Sequence, residues 1–131
     1  MNVPTLIRSF LTSAAVAGRR IVKFSDAANT DKVALAAAAT EGLAGISDAY
    51  GADAGKMLDV VQGGVAAVKL GGTVAAGDPL TSDDEGCAVK CVAAAGETRM
   101  YVGFAQAPGV EGDEIACLVV PGLIHAPEVE A

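Results

Sequence analysis

The chain has 131 residues, 52% hydrophobic but only 4% aromatic, with 9 Lys+Arg against 16 Asp+Glu for a formal charge of -7. That length suits one compact domain; the apolar content excludes a disordered acidic tail, and three cysteines are too few for a disulfide scaffold. Charges interrupt every apolar run short of the roughly 18 residues of a membrane helix, and the acidic balance with few aromatic rings disfavours nucleic acid as a partner.

Charge is divided sharply along the chain. Residues 1–23 hold four cations (Arg8, Arg19, Arg20, Lys23) and no acid, whereas residues 24–131 hold five cations and sixteen acids, a net -11. Such asymmetry marks a separate N-terminal element. Residues 1–12 read as an arm whose apolar and basic side chains, Leu6, Ile7, Arg8, Phe10 and Leu11, lie on a partner or add a strand to one. A short strand or helix packed on its own domain is the plainer alternative. A secretory signal fits poorly, because no Lys or Arg precedes the apolar stretch and Arg8 interrupts it, so the segment is expected to be retained.

Residues 13–125 read as a β domain of short strands divided by glycine turns, with no helix-period segment beyond about ten residues. The pattern nearly repeats after about 58 residues, giving units of about 13–70 and 71–125. Ala15-Val16-Ala17-Gly18-Arg19-Arg20-Ile21 parallels Thr73-Val74-Ala75-Ala76-Gly77-Asp78-Pro79-Leu80. The run Ala36 to Ala39 parallels Ala93 to Ala95, and Leu43 to Ser47 parallels Tyr101 to Ala105. Gly55 with the apolar run from Met57 parallels Gly112 with the run from Ile115. Two units too small to close a core alone are expected to pack as one small β-barrel or clip.

The stretch 71–86 predicts strand, tight corner, strand, tight corner. Gly77 supplies positive φ, Asp78 bonds its own backbone, and Pro79 fixes φ and directs Leu80 inward. Gly86 closes a second, acidic turn after Asp83. The last strand, expected over 114–120, is apolar on both faces, as in a strand covered on both sides. Residues 126–131 form a tail. With 27 alanines and 16 glycines, about a third of the chain, the core is thin. Each buried methyl stabilises far less than a leucine side chain, so burial against a partner surface is expected to complete it.

No set of residues assembles into a catalytic, metal or cofactor site. His125 is the single histidine, and it lies in a proline-bounded tail. Cys87 and Cys91, on one strand, would stand about 13 Å apart at roughly 3.3 Å per residue, too far for a disulfide or a shared metal. A bridge needs Cys117 to come close to one of them; otherwise all three read as buried thiols acting as small hydrophobes. Asp83-Asp84-Glu85-Gly86 lacks the alternating ligands of a calcium loop. The Gly71-Gly72…Gly77 cluster has no Gly-Lys-Ser/Thr ending to cradle phosphate.

The chain resembles a known family over about 120 residues: Pro4-Thr5-Leu6-Ile7-Arg8-Ser9-Phe10, Arg20-Ile21-Val22-Lys23-Phe24, Gly45-Ile46-Ser47-Asp48, Gly71-Gly72-Thr73-Val74…Gly77-Asp78-Pro79-Leu80-Thr81-Ser82-Asp83, Val102-Gly103-Phe104-Ala105 and Val119-Val120-Pro121-Gly122. In this order and spacing they are similar to the capsid decoration, or cement, proteins of tailed bacteriophages, in the form found in phages with Mu-like gene arrangements. The resemblance implies a structural virion protein, made in the host cytoplasm. It would sit as a homotrimer on the outer capsid surface and bridge major capsid protein subunits, through a β-clip or tulip-like domain with a capsid-contacting arm. It implies no enzyme activity, cofactor, membrane or direct nucleic-acid partner. Cys87 and Cys91 depart from the family pattern. Two other readings compete: an accessory β-clip module of a sugar-acid-processing enzyme, and a secreted bacterial adhesin-like domain.

Overall fold

The computed structural model describes residues 3–26, 28–38 and 42–126. Every regular element there is a strand: β1 (Val3–Leu11), β2 (Ile21–Phe24), β3 (Val33–Leu35), β4 (Leu43–Ser47), β5 (Met57–Lys69), β6 (Pro79–Ser82), β7 (Ala88–Lys90), β8 (Thr98–Ala105) and β9 (Glu114–His125). All strand pairs are antiparallel, in the order β3-β2-β4-β5-β9-β8-β6-β7, with β1 added to β5. The order is a palindrome. β2 to β5 and β6 to β9 carry the same connectivity, and β5 joins β9 at the centre. β4 also lies against β8 and β9 although it pairs with neither, so the sheet curls into a small β-barrel or clip.

The same turns recur in both halves. Thr12 N–H donates to Lys56 C=O, and Leu70 N–H to Asp113 C=O; Val16 and Ala52 exchange bonds as Val74 and Gly109 do. In one respect the sequence parallel and the geometry differ. Ala36 N–H donates to Ile21 C=O where Cys91 N–H donates to Pro79 C=O. The buried counterpart of Ala36 is therefore Cys91, two residues before the second alanine run, because only the side chain following the edge strand turns inward. Residues 39–41 lie outside the described residues.

β5 is the hub. Val60 and Val61 pair with β4 and also with Arg8 and Ile7 of β1, and Gly64 and Val65 pair with β9 and also with Pro4 and Val3. A residue cannot pair with two strands through one edge, so β1 lines one edge of β5 while β4 and then β9 share the other. The core divides accordingly. One cluster gathers Ile21, Ile46, Val68, Leu80, Val102 and Cys117 between the halves; a smaller one gathers Phe10, Val22, Val33, Leu58 and Val60 beneath the end of β1.

The last strand is longer than the sequence predicts: β9 runs through Pro121 to His125. Tyr101 faces Gly122 and Gly103 faces Val119, so Val120 and Pro121 stand opposite Val102 alone. Proline is tolerated at such a bulge because the ladder asks no N–H of it. Of the expected tail, only Ala126 is among the described residues.

Candidate functional site

The segment read as an arm is a strand. β1 pairs with β5 over its whole length, from Val3 opposite Val65 to Leu11 opposite Met57, with irregular register between Pro4 and Ile7. It is nevertheless exposed on both faces: Val3 is 55% exposed, Leu6 and Ile7 49% each and Leu11 41%, beside Met57 at 58%. Along Val3–Leu11 no strand among the described residues pairs with its outer edge; β3 meets the chain only just beyond it, where Thr12 bridges Val33 and Ser13 N–H donates to Val33 C=O. A nine-residue, mainly apolar strand with an open edge is a template for another chain. The other outermost strands, β3 and β7, are three residues each, too short to offer one.

The five arm residues do not act alike. Leu6, Ile7, Arg8 and Leu11 are exposed, whereas Phe10 is turned into the protein's own core, 3% exposed. Its ring meets Phe24 edge-on with centroids 5.6 Å apart, and the Arg8 guanidinium lies 4.9 Å over it. Phe10 therefore pins the strand. Beside it Ser9 Oγ donates to Asp59 at 2.6 Å, and Thr12 Oγ1 to Asp53 C=O at 2.7 Å. The basic character of the first 23 residues is also spread out. Arg8 alone is on β1; Arg19 pairs with Glu114 at 2.6 Å, and Arg20 donates to Glu85 C=O at 3.4 Å.

Gly77 has φ 88° and its N–H donates to Ala105 C=O at 2.7 Å; Asp78 Oδ2 accepts from Ala75 N–H at 2.9 Å. Pro79 opens β6 and Leu80 is fully buried. Gly86 has φ 78° and its carbonyl accepts from Ile21 N–H at 2.7 Å, tying the acidic turn to β2. Asp83 Oδ1 accepts from the N–H groups of Glu85 and Cys87, both at 2.9 Å, so this carboxylate staples a turn.

Among the described residues, no three His, Cys, Asp or Glu side chains converge on a metal-sized site. His125 ends β9, where its Nδ1 lies 2.7 Å from Thr98 Oγ1. All three cysteines are free and buried. Burial raises each thiol above its ordinary pKa, Cys117 furthest, pushed up to about 12 despite a backbone hydrogen bond at Phe104. Such thiols are poor nucleophiles. An open hollow of about 580 Å³ beside the first corner is lined mainly by small residues between Ala15–Ala17 and Gly51–Ala52, together with Leu35 and a single acidic residue, Asp53, with Tyr50 93% exposed at its rim. It gathers no convergent polar set of the kind a substrate site needs.

Among the described residues the curled all-β sheet offers one long strand, β1, with its outer edge open along Val3–Leu11. Residues 6–121 match the phage cement protein family, and the chain belongs to it. The fold is also that of the head fiber gp8.5 N base of bacteriophage phi29. The two share 18% identity with a TM-score of 0.64, covering 88% of this chain and 93% of that one. No curated protein matches. As a phage cement protein, it is a structural component of the virion capsid.

Proposed function

We propose that this protein decorates the outer surface of a phage head as a homotrimer, bridges neighbouring major capsid protein subunits at local threefold positions, and is anchored through β1. The observation that carries this reading is a strand exposed on both faces, with an open outer edge, pinned to its own domain by Phe10. Leu6, Ile7 and Leu11 bury apolar area on the shell, and Arg8 meets an acidic group there. The unpaired edge adds main-chain hydrogen bonds by strand addition. The body, net -11 beyond residue 23, faces solvent and keeps decorated heads apart. Many copies, each held at several points, stabilise a lattice even when single contacts are weak. Affinity for the expanded shell over its precursor biases the mature state by mass action.

Among the described residues no specific cluster supports an adhesin-like or enzyme-module role. Cryo-electron microscopy of purified heads tests the proposal. The expected map shows threefold density outside the shell, with β1 at the capsid face. Density inside the head, or single copies off the threefold axes, contradicts it.

A further inference from the structure

A sheet that is half core and half solvent carries polar side chains on its outward face. Here one outward row crosses five strands without a polar side chain. Val3 on β1 faces Val65 on β5, Val65 faces Leu118 on β9, Leu118 faces Phe104 on β8, and Phe104 faces Pro79 on β6. Directly opposed residues share a face. Four gaps of about 4.8 Å make the row roughly 19 Å wide. The inward row next to it, Ala66, Cys117 and Ala105, is at most 1% exposed. The outward one is open: Val3 is 55% and Leu118 37% exposed, and Val65, Phe104 and Pro79 are half-buried. Val120, 46% exposed, extends it along β9.

We propose that this row is the contact between copies of the chain. The assignment rests on the self-association proposed above and names the surface that performs it. Charge selects the occupant. Beyond residue 23 each copy carries -11, so two copies repel wherever their acidic faces meet. The row contains no ionisable side chain, and three copies of it converge on a threefold axis without that penalty. Permanent contacts between identical chains are typically apolar, resembling a domain core cut in half. A sheet face of this kind also supplies the burial that an alanine-rich interior lacks. The row is distinct from the shell-facing part of β1: it takes Val3 at the strand's start and leaves Leu6, Ile7, Arg8 and Leu11 free.

The test measures mass in solution by light scattering, for the full chain and for Leu118→Glu. Val92→Glu, at a 67% exposed position outside the row, is the control. Folding of each variant is checked by circular dichroism, and Val120→Glu repeats the test should Leu118→Glu fail to fold. The wild-type chain and Val92→Glu are expected at three times the 12.9 kDa of one chain, and Leu118→Glu at 12.9 kDa. A folded Leu118→Glu that retains the wild-type mass overturns the row as the contact while leaving self-association standing. A wild-type chain that is monomeric both free and on heads overturns both. A monomeric wild type whose binding to empty heads is lost in Leu118→Glu assigns the row to the capsid protein instead and overturns the proposal.

Discussion

Arg19 and Gly77 hold the same corner in the two halves of the sheet, both with left-handed backbone: φ is 57° at Arg19 and 88° at Gly77. The N–H of Arg19 donates to Asp48 C=O at 2.8 Å, and that of Gly77 to Ala105 C=O at 2.7 Å. A side chain in this conformation costs about 1 kcal/mol. Arg19 offsets part of it by pairing with Glu114 of β9, between half-exposed side chains, worth about 0–1 kcal/mol. An ordering follows for urea unfolding: Arg19→Ala keeps the strain and loses the ion pair, so it is less stable than Arg19→Gly. Gly77→Ala has room for its Cβ and loses about 1 kcal/mol through strain alone. Equal midpoints for Arg19→Ala and Arg19→Gly contradict the assignment.

Gly45 and Gly103 permit the closest strand approaches. A Cβ on Gly45 would run into the carbonyl oxygen of Val61, and one on Gly103 into that of Leu118. Backbone cannot step aside as a side chain does. Gly103→Ala is predicted to lose about 3 kcal/mol or more, at the upper end of overpacking costs, far beyond Gly77→Ala. Thermal unfolding of the pair checks the contrast.

Phe10 and its neighbours on β1 should separate cleanly. Phe10→Ala empties a core position against Phe24 and is predicted to cost about 3 kcal/mol. Leu6→Asp and Ile7→Asp, at exposed positions, should change stability by about 0.5 kcal/mol or less. Chemical denaturation measures all three.

Cys117 gives a pH signature. Its folded pKa is raised, so the native state holds the thiol proton more tightly than the unfolded chain. The contribution is complete below the unfolded thiol pKa, near 8.5. It is lost as pH rises toward about 12, at roughly 1.4 kcal/mol per unit. Cys117→Ala is predicted to be less stable at neutral pH yet to lose stability less steeply above pH about 9. In thiol labelling of the wild type, Cys117, 0% exposed, reacts only on unfolding.

Much of the architecture was readable because punctuation is local. Gly77-Asp78-Pro79 and Gly86 specify corners through their own backbone preferences, and the 58-residue spacing of Gly45 and Gly103 is visible without coordinates. The role of Phe10 was not: a phenylalanine in an apolar arm has the same pattern whether it faces a partner or its own Phe24, and only the pairing of β1 with β5 decides. The extension of β9 past Pro121 was hidden for a related reason, since a bulge is a property of two strands. The apolar row from Val3 to Pro79 draws one residue from each of five strands, so no sequence window contains it.

The most direct test of the account titrates purified empty heads with the wild-type chain and with a folded Leu6→Asp/Ile7→Asp variant, counting bound copies. The wild type is predicted to saturate at a fixed number per head and the variant to stay in solution. Saturation by both at the same concentration would show that β1 is not the anchor.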